Sequence, residues 1–163
     1  SIRKYTDANI SDQDLQTILQ AGLLSASGRA ARPWEFIVVR NKETLQKMSE
    51  SRVGAAKMLA NANAAIVVIA DESKTDVWVE DCSIAMSNMH LAASTLGIGS
   101  CWIQGRHRMT PNDTTTEDYL RDLLGYPADY RLEATLSLGM PAEEKAQTEL
   151  SALSADKIHY EKY

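Results

Sequence analysis

The chain alternates between segments whose apolar residues recur every three or four positions and short segments that are apolar throughout. The first pattern is typical of amphipathic helices and the second of buried strands. Ser11 is suited to cap the first helix. The longest periodic segment runs from about Asp76 to Leu96 and ends at Gly97. The residues that share one face of the first helix are Leu15, Ile18, Leu19 and Leu23.

Shorter elements fill the rest of the chain. We expect a weak helix over Lys42–Glu50, an Ala-rich helix over Ala55–Asn63, and a capped helix over Glu117–Leu124 that Gly125 stops. Buried strands are predicted at Phe36–Val39, Ala65–Ala70 and Ser100–Ile103. Leu132, Ala134, Leu136 and Leu138 alternate as in a strand with one covered face. The pattern predicts one α+β domain over residues 1–163.

The C-terminal segment, residues 142–163, differs from the rest. It is charged, and its spaced apolar residues Ile158, Tyr160 and Tyr163 have no local core. Such a segment needs a surface to lie against, either its own domain or a partner subunit.

Composition and charge narrow the functional classes. Apolar residues make up 44% and charged residues 24% of the chain, which is typical of a globular protein, and no apolar run is long enough to cross a bilayer. The net charge of −5 argues against general nucleic-acid binding. Cys82 and Cys101 lie in apolar segments without CxxC spacing, so we expect reduced thiols in a cytoplasmic protein.

The sequence contains no motif that indicates catalysis by its side chains. His90, His107 and His159 are scattered without metal-ligand spacing, so no metal site is predicted. Cys101 has no nearby His, and its simpler role is that of a small buried hydrophobic residue. No GxSxG, GxGxxG or Walker pattern occurs.

Six segments of the chain carry a resemblance to a known family. They are the opening SIRKY, the loop SASGRAARPWEFIVV, the run EDCSIAMSNMHLAASTLGIGSCWI, the segment LGYP, the strand LSLGMPAEEK and the ending DKIHYEKY. In this order and spacing they resemble the FMN-dependent nitroreductase family. The resemblance implies a three-layer α+β sandwich with a central, mostly antiparallel sheet. It also implies a homodimer with FMN at the subunit interface, across which residues 142–163 are exchanged as an arm.

The resemblance assigns a phosphate end to the cofactor site. Ser1 and Arg3 match the serine and second arginine of the family's opening Arg-Ser-x-Arg, and its first arginine is either absent or upstream of residue 1. Lys145 matches a phosphate-binding lysine after the last strand, or is a solvated lysine in an acidic run. Gln147 or Thr148 stands where that pattern has an arginine.

The resemblance also assigns residues around the flavin ring. Ala26, Ser27 and Gly28 match the loop that the partner lays beside the ring, with Ala30 and Arg32 where the family has Asn and Gln. Arg32 either favours the anionic reduced flavin or pairs with an acidic residue at the surface. The segment expected to pass along the ring comprises Trp102, Ile103, Gln104 and Gly105, and Lys57 aligns with a lysine near the pyrimidine edge.

The implied activity is NAD(P)H-dependent reduction of nitroaromatics, quinones or similar flat acceptors by ping-pong hydride transfer, with no catalytic side chain. NADH and NADPH are left open as donors. The alternatives are another flavin reaction on the same fold, such as dehalogenation, dehydrogenation or flavin breakdown, and a non-catalytic flavin-binding dimer.

Overall fold

A four-stranded antiparallel sheet forms the centre of the computed structural model, which describes residues 1–163. The strands are β1 (Trp34–Val39), β2 (Ala64–Asp71), β3 (Gly99–Gln104) and β4 (Tyr130–Gly139). Their order across the sheet is β1-β2-β4-β3, so β1 and β3 are the edge strands. The α-helices are α1 (Asp12–Leu23), α2 (Lys42–Met48), α3 (Trp78–Thr95) and α4 (Thr116–Leu124).

Helices cover both faces of the sheet, which makes the predicted three layers. On one face, α1 and α3 pack against Ile66 and Val68 of β2. On the other, α2 and α4 pack against Val67 and Ile69, the alternate residues of the same strand. The α+β sandwich with an antiparallel sheet is therefore confirmed.

Local signals in the sequence fix most helix ends. The Ser11 hydroxyl accepts the Asp14 N–H at 3.0 Å and begins α1, as expected. Gly97 and Gly125 follow α3 and α4 with φ of 72° and 73°, the left-handed conformation that glycine adopts without strain. None of the helices is long and apolar enough to span a bilayer.

Leu23, which shares a face of α1 with Leu15 and Ile18, is 52% exposed at the end of the helix. Two expectations were wrong. Within Ala55–Asn63 only a short 3-10 helix forms, over Lys57–Asn61. The strand β4 is covered on both faces rather than one, since helices lie on each side and the intervening Glu133, Thr135 and Ser137 are buried too.

A β-bulge in β4 explains part of that last difference. The register between β2 and β4 shifts between Val68 and Ile69, which leaves Glu133 as the extra residue. The bulge reverses the alternation, so Leu132 packs with the α4 layer although Ala134 packs with the α3 layer. The sequence spacing alone puts those two residues on the same face.

Candidate active site

The N-terminal segment lies across the ends of β3 and β4. The Ile2 N–H donates to the Ser100 carbonyl at 2.9 Å, and the Thr6 N–H donates to the Met140 carbonyl at 2.8 Å. Glycine makes this approach possible, because a Cβ at Gly139 would lie 2.5 Å from Cγ of Tyr5. The same packing places Ser1 and Arg3 beside the first residues of β3.

Glu143 connects two of the residues predicted to bind phosphate. Its Oε1 accepts the backbone N–H of Arg3 at 2.6 Å, and its Oε2 lies 3.0 Å from Lys145 Nζ. The Arg3 hydrogen bond and then the Lys145 ammonium hold the pKa of this carboxyl below its ordinary value. Arg3 makes no ion pair within the chain, so its guanidinium is available to an anion, whereas Lys145 already has a counter-ion.

The predicted ring segment runs along the open edge of β3. Ile103 is buried in the α4-side core, and its backbone faces β4 because neighbouring residues of an antiparallel strand point to opposite sides, so Ile103 does not contact a ligand at the open edge. The Trp102 indole N–H donates to Gln104 Oε1 at 2.9 Å, which fixes both side chains.

Gln104 directs a backbone donor toward this edge. Its carbonyl points away from β4, because it accepts from Arg52 Nη1 at 3.3 Å. In an antiparallel strand the N–H and C=O of one residue point to the same side, so the Gln104 N–H faces the open edge.

Gly105 has a structural role in this segment. Its N–H donates to the Glu133 carbonyl at 3.2 Å. A Cβ at this position would lie 2.5 Å from Leu132 Cδ2, so close packing against β4 requires glycine here. Gly105 therefore shapes the end of β3, and the outward donor belongs to Gln104.

The loop before β1 is strained and tied to α3. Arg29, Ala30 and Arg32 have positive φ values of 52°, 55° and 45°, which are uncommon for residues with a side chain. Asp81 Oδ1 accepts the Gly28 N–H at 2.8 Å, and Ser27 Oγ accepts the Arg32 N–H at 3.0 Å. Ala26 is exposed, and Arg32 has no carboxylate partner within the chain.

Two cations in the segment between α2 and β2 have different surroundings. Lys57 Nζ lies 2.7 Å from Glu50 Oε1 in an exposed ion pair. Arg52, which sequence reasoning missed, contacts the Gln104 carbonyl instead. No sequence signal distinguishes Arg52 from other surface arginines, because its role depends on a contact 52 residues away along the chain.

The two thiols are unsuited to nucleophilic chemistry. Cys82 and Cys101 are buried and unpaired. Burial, and then the nearby Glu133 carboxylate, raise the pKa of Cys82 to about 12, so its thiol stays protonated at neutral pH.

The family model for nitroreductases matches residues 1–54 and 46–140 of this chain. A relative from Archaeoglobus fulgidus, provisionally named NADH dehydrogenase/NAD(P)H nitroreductase, is 44% identical over all of this chain and 93% of its own length. A relative of the same name from Methanothermobacter thermautotrophicus is 37% identical over all of this chain and 83% of its own.

Solved structures agree with this assignment. An FMN-dependent nitroreductase from Clostridium difficile superposes with a TM-score of 0.97 at 44% identity, covering 100% of this chain and 95% of that one. A provisionally named nitroreductase from Desulfovibrio desulfuricans, solved in complex with FMN, superposes with a TM-score of 0.73 at 26% identity, covering 93% and 87%. The predicted family is thereby confirmed, and the chain belongs to the nitroreductase family.

Proposed function

We propose that this chain is an FMN-dependent NAD(P)H oxidoreductase that reduces flat acceptors such as nitroaromatics or quinones. The observation that carries the proposal is the edge of β3, in a chain that belongs to the nitroreductase family. One end of that edge has the free guanidinium of Arg3, and the other has the outward N–H of Gln104. This donor set fits a ligand with an anionic end and a flat polar ring.

Each group has a role in holding FMN. Arg3 would bind the phosphate, with Ser1 beside it, and Lys145 would join when it leaves Glu143. The Gln104 N–H would donate to the ring, and Gly105 would keep this end of β3 close to β4. FMN supplies reversible hydride chemistry when bound. The protein then needs to orient the donor and acceptor in turn and exclude water, so no catalytic acid or base is required.

We infer that the site is completed by a second copy of the chain. Every residue from 144 to 163 is exposed, so this segment does not pack on its own chain. The strand β3 also leaves one edge open. An arm exchanged in a homodimer, with residues 26–32 lying beside the partner's ring, accounts for both features. The two unpaired cysteines suit a reducing compartment, and we propose the cytoplasm.

Binding and turnover together test the function. After incubation with FMN and gel filtration, the protein should carry flavin absorbance, and it should oxidise NADH or NADPH when a nitroaromatic or a quinone is supplied. A colourless protein would contradict the cofactor assignment. A yellow protein that oxidises neither nucleotide would support a non-catalytic flavin-binding dimer instead.

Arg3→Ala tests the phosphate end directly. We expect FMN binding to weaken by about 2–5 kcal/mol, because truncation leaves a bound phosphate without its charged partner. Lys4→Ala is the matched control, since Lys4 is an exposed cation next in the chain. FMN affinity is measured by fluorescence titration, and equal affinities in the two variants would show that Arg3 does not bind the phosphate.

A further inference from the structure

A tight turn follows β3 and presents three basic side chains in succession. The Arg108 N–H donates to the Gly105 carbonyl at 3.1 Å and closes the turn around Arg106 and His107. His107 has a φ of 56°, a conformation that glycine adopts more readily. Strained backbone of this kind is concentrated at functional sites, so the side chains of this turn merit a functional explanation.

The turn lines an open cleft of about 640 Å³ whose carboxylates are already engaged. Glu117 Oε1 lies 2.9 Å from Arg121 and 3.2 Å from Arg131. Glu72 lies 2.7 Å from Arg131, and Asp118 lies 2.6 Å from Arg121. Each carboxylate of the cleft therefore already forms an ion pair with Arg121 or Arg131, which lie outside the turn.

Arg52, Arg106 and Arg108, hereafter the basic cluster, form no ion pair in the chain. Arg106 lies over the Trp78 ring, 5.6 Å from its centroid, and faces the buried Glu133. Arg108 is exposed, and the only hydrogen bond of its guanidinium goes to the His107 carbonyl, at 3.2 Å. The Val53 N–H donates to the Met109 carbonyl at 3.0 Å, which brings the segment of Arg52 beside that of Arg108, and burial and then the charge of Arg108 lower the pKa of Arg52.

The basic cluster lies beside the proposed flavin site, with Arg106 and Arg108 lining the cleft and Arg52 next to it. Gly105 lines the cleft, and Arg52 contacts the carbonyl of Gln104, the residue whose N–H faces the open edge. A substrate with a ring at that edge could therefore reach the cluster with an anionic group.

We propose that the basic cluster binds the 2′-phosphate of NADPH and makes NADPH the preferred hydride donor. This inference rests on the proposed function. A phosphate monoester carries up to two negative charges, whereas each phosphate of the pyrophosphate carries one. Three guanidinium groups without a salt bridge suit the more highly charged monoester, and arginine is the residue that accommodates a 2′-phosphate in other nucleotide sites.

Calorimetric titration with 2′,5′-ADP and with 5′-AMP tests the site without turnover. The two ligands share the adenosine and differ chiefly by the 2′-phosphate, so the holoprotein should bind 2′,5′-ADP about tenfold more tightly. Arg108→Gln should remove most of that difference, and Arg108→Lys should retain part of it. Lys74→Gln removes one positive charge from an exposed position and should leave the difference in affinity between the two ligands unchanged. Circular dichroism verifies that each variant is folded.

Steady-state kinetics then test selectivity. Arg108→Gln should raise KM for NADPH about tenfold with little change in kcat, while KM for NADH stays the same. Equal increases for both nucleotides would assign the cluster to the pyrophosphate and overturn the proposal. Equal binding of 2′,5′-ADP and 5′-AMP by the wild-type protein would overturn it as well. If 2′,5′-ADP binding depends on Arg108 but no flavin is bound, the anion site stands and the proposed enzyme function fails.

Discussion

Glu133 is a buried carboxylate at the β-bulge between β2 and β4. Only 2% of the residue is exposed, Oε1 has one long hydrogen bond from Ser83 at 3.4 Å, and Oε2 has no partner. Burial raises the pKa of this carboxyl, and the nearby Arg106 charge opposes the increase. The folded protein therefore holds the Glu133 proton more tightly than the unfolded chain does.

This difference predicts the pH dependence of Glu133→Gln. Because the pKa is higher in the folded state, the contribution of Glu133 to stability is present below the ordinary Glu pKa of about 4.3 and is lost as pH rises through the folded-state value. The variant lacks this loss, so its free energy of unfolding should increase relative to wild type over the same range. Urea unfolding from about pH 4 to about pH 8 measures the difference. Glu149→Gln, in the exposed C-terminal segment, is the control, and a difference independent of pH would contradict the prediction.

At the scale of elements, α3 holds the strained loop before β1 through two side chains on one face. Asp81 accepts the Gly28 N–H at 2.8 Å, and seven residues later Asn88 Nδ2 donates to Ser25 Oγ at 2.8 Å. Positive φ values at three non-glycine residues in the loop must be stabilised by such contacts. The same contacts position Ser27 and Arg32 for the partner's flavin in the proposed dimer.

Replacing Asp81 should therefore loosen the loop. In Asp81→Ala the Gly28 N–H loses its acceptor, which should cost about 1–3 kcal/mol and speed tryptic cleavage after Arg29. Asp81→Asn keeps an acceptor oxygen and removes a buried charge whose Oδ2 has no partner, so its stability should stay close to wild type. Limited proteolysis and thermal unfolding measure the two effects. If both variants are cleaved at the wild-type rate, Asp81 does not hold the loop.

Elements with local signals were predictable from the sequence, and features that depend on distant contacts were not. Caps such as Ser11 and terminal glycines such as Gly125 act within one helical turn, so the helix ends came close to those observed. The bulge at Glu133 depends on pairing with β2, about 65 residues earlier in the chain, and alternation alone could not reveal it. The same holds for the site: the resemblance supplied Arg3 and Gln104, whereas Arg52, Asp81 and Glu143 were found only from the fold.

At the scale of the whole molecule, two apolar surfaces lack a covering within one chain. In the C-terminal segment Ile158 is 61% exposed and Tyr160 is 84% exposed. On α3, Ile84 and Leu91 lie seven residues apart on one face and are 43% and 61% exposed. In the proposed homodimer, a second copy of the chain would cover both surfaces.

Ile158→Asp in the full-length chain is expected to dissociate this dimer. Burial of an isoleucine side chain stabilises by about 1.5–3 kcal/mol, and twofold symmetry applies the loss twice, so dimerisation should weaken by about 3–6 kcal/mol. Ala152→Asp introduces the same charge at another exposed position in the segment and should have a much smaller effect. Sedimentation velocity over a series of concentrations gives both dissociation constants. Because every residue from 144 to 163 is exposed in the single chain and none belongs to its core, thermal unfolding of the dissociated variant should still be cooperative. A dimer equally stable in both variants would mean that Ile158 lies outside the interface, and that the segment does not cross to the partner as an arm.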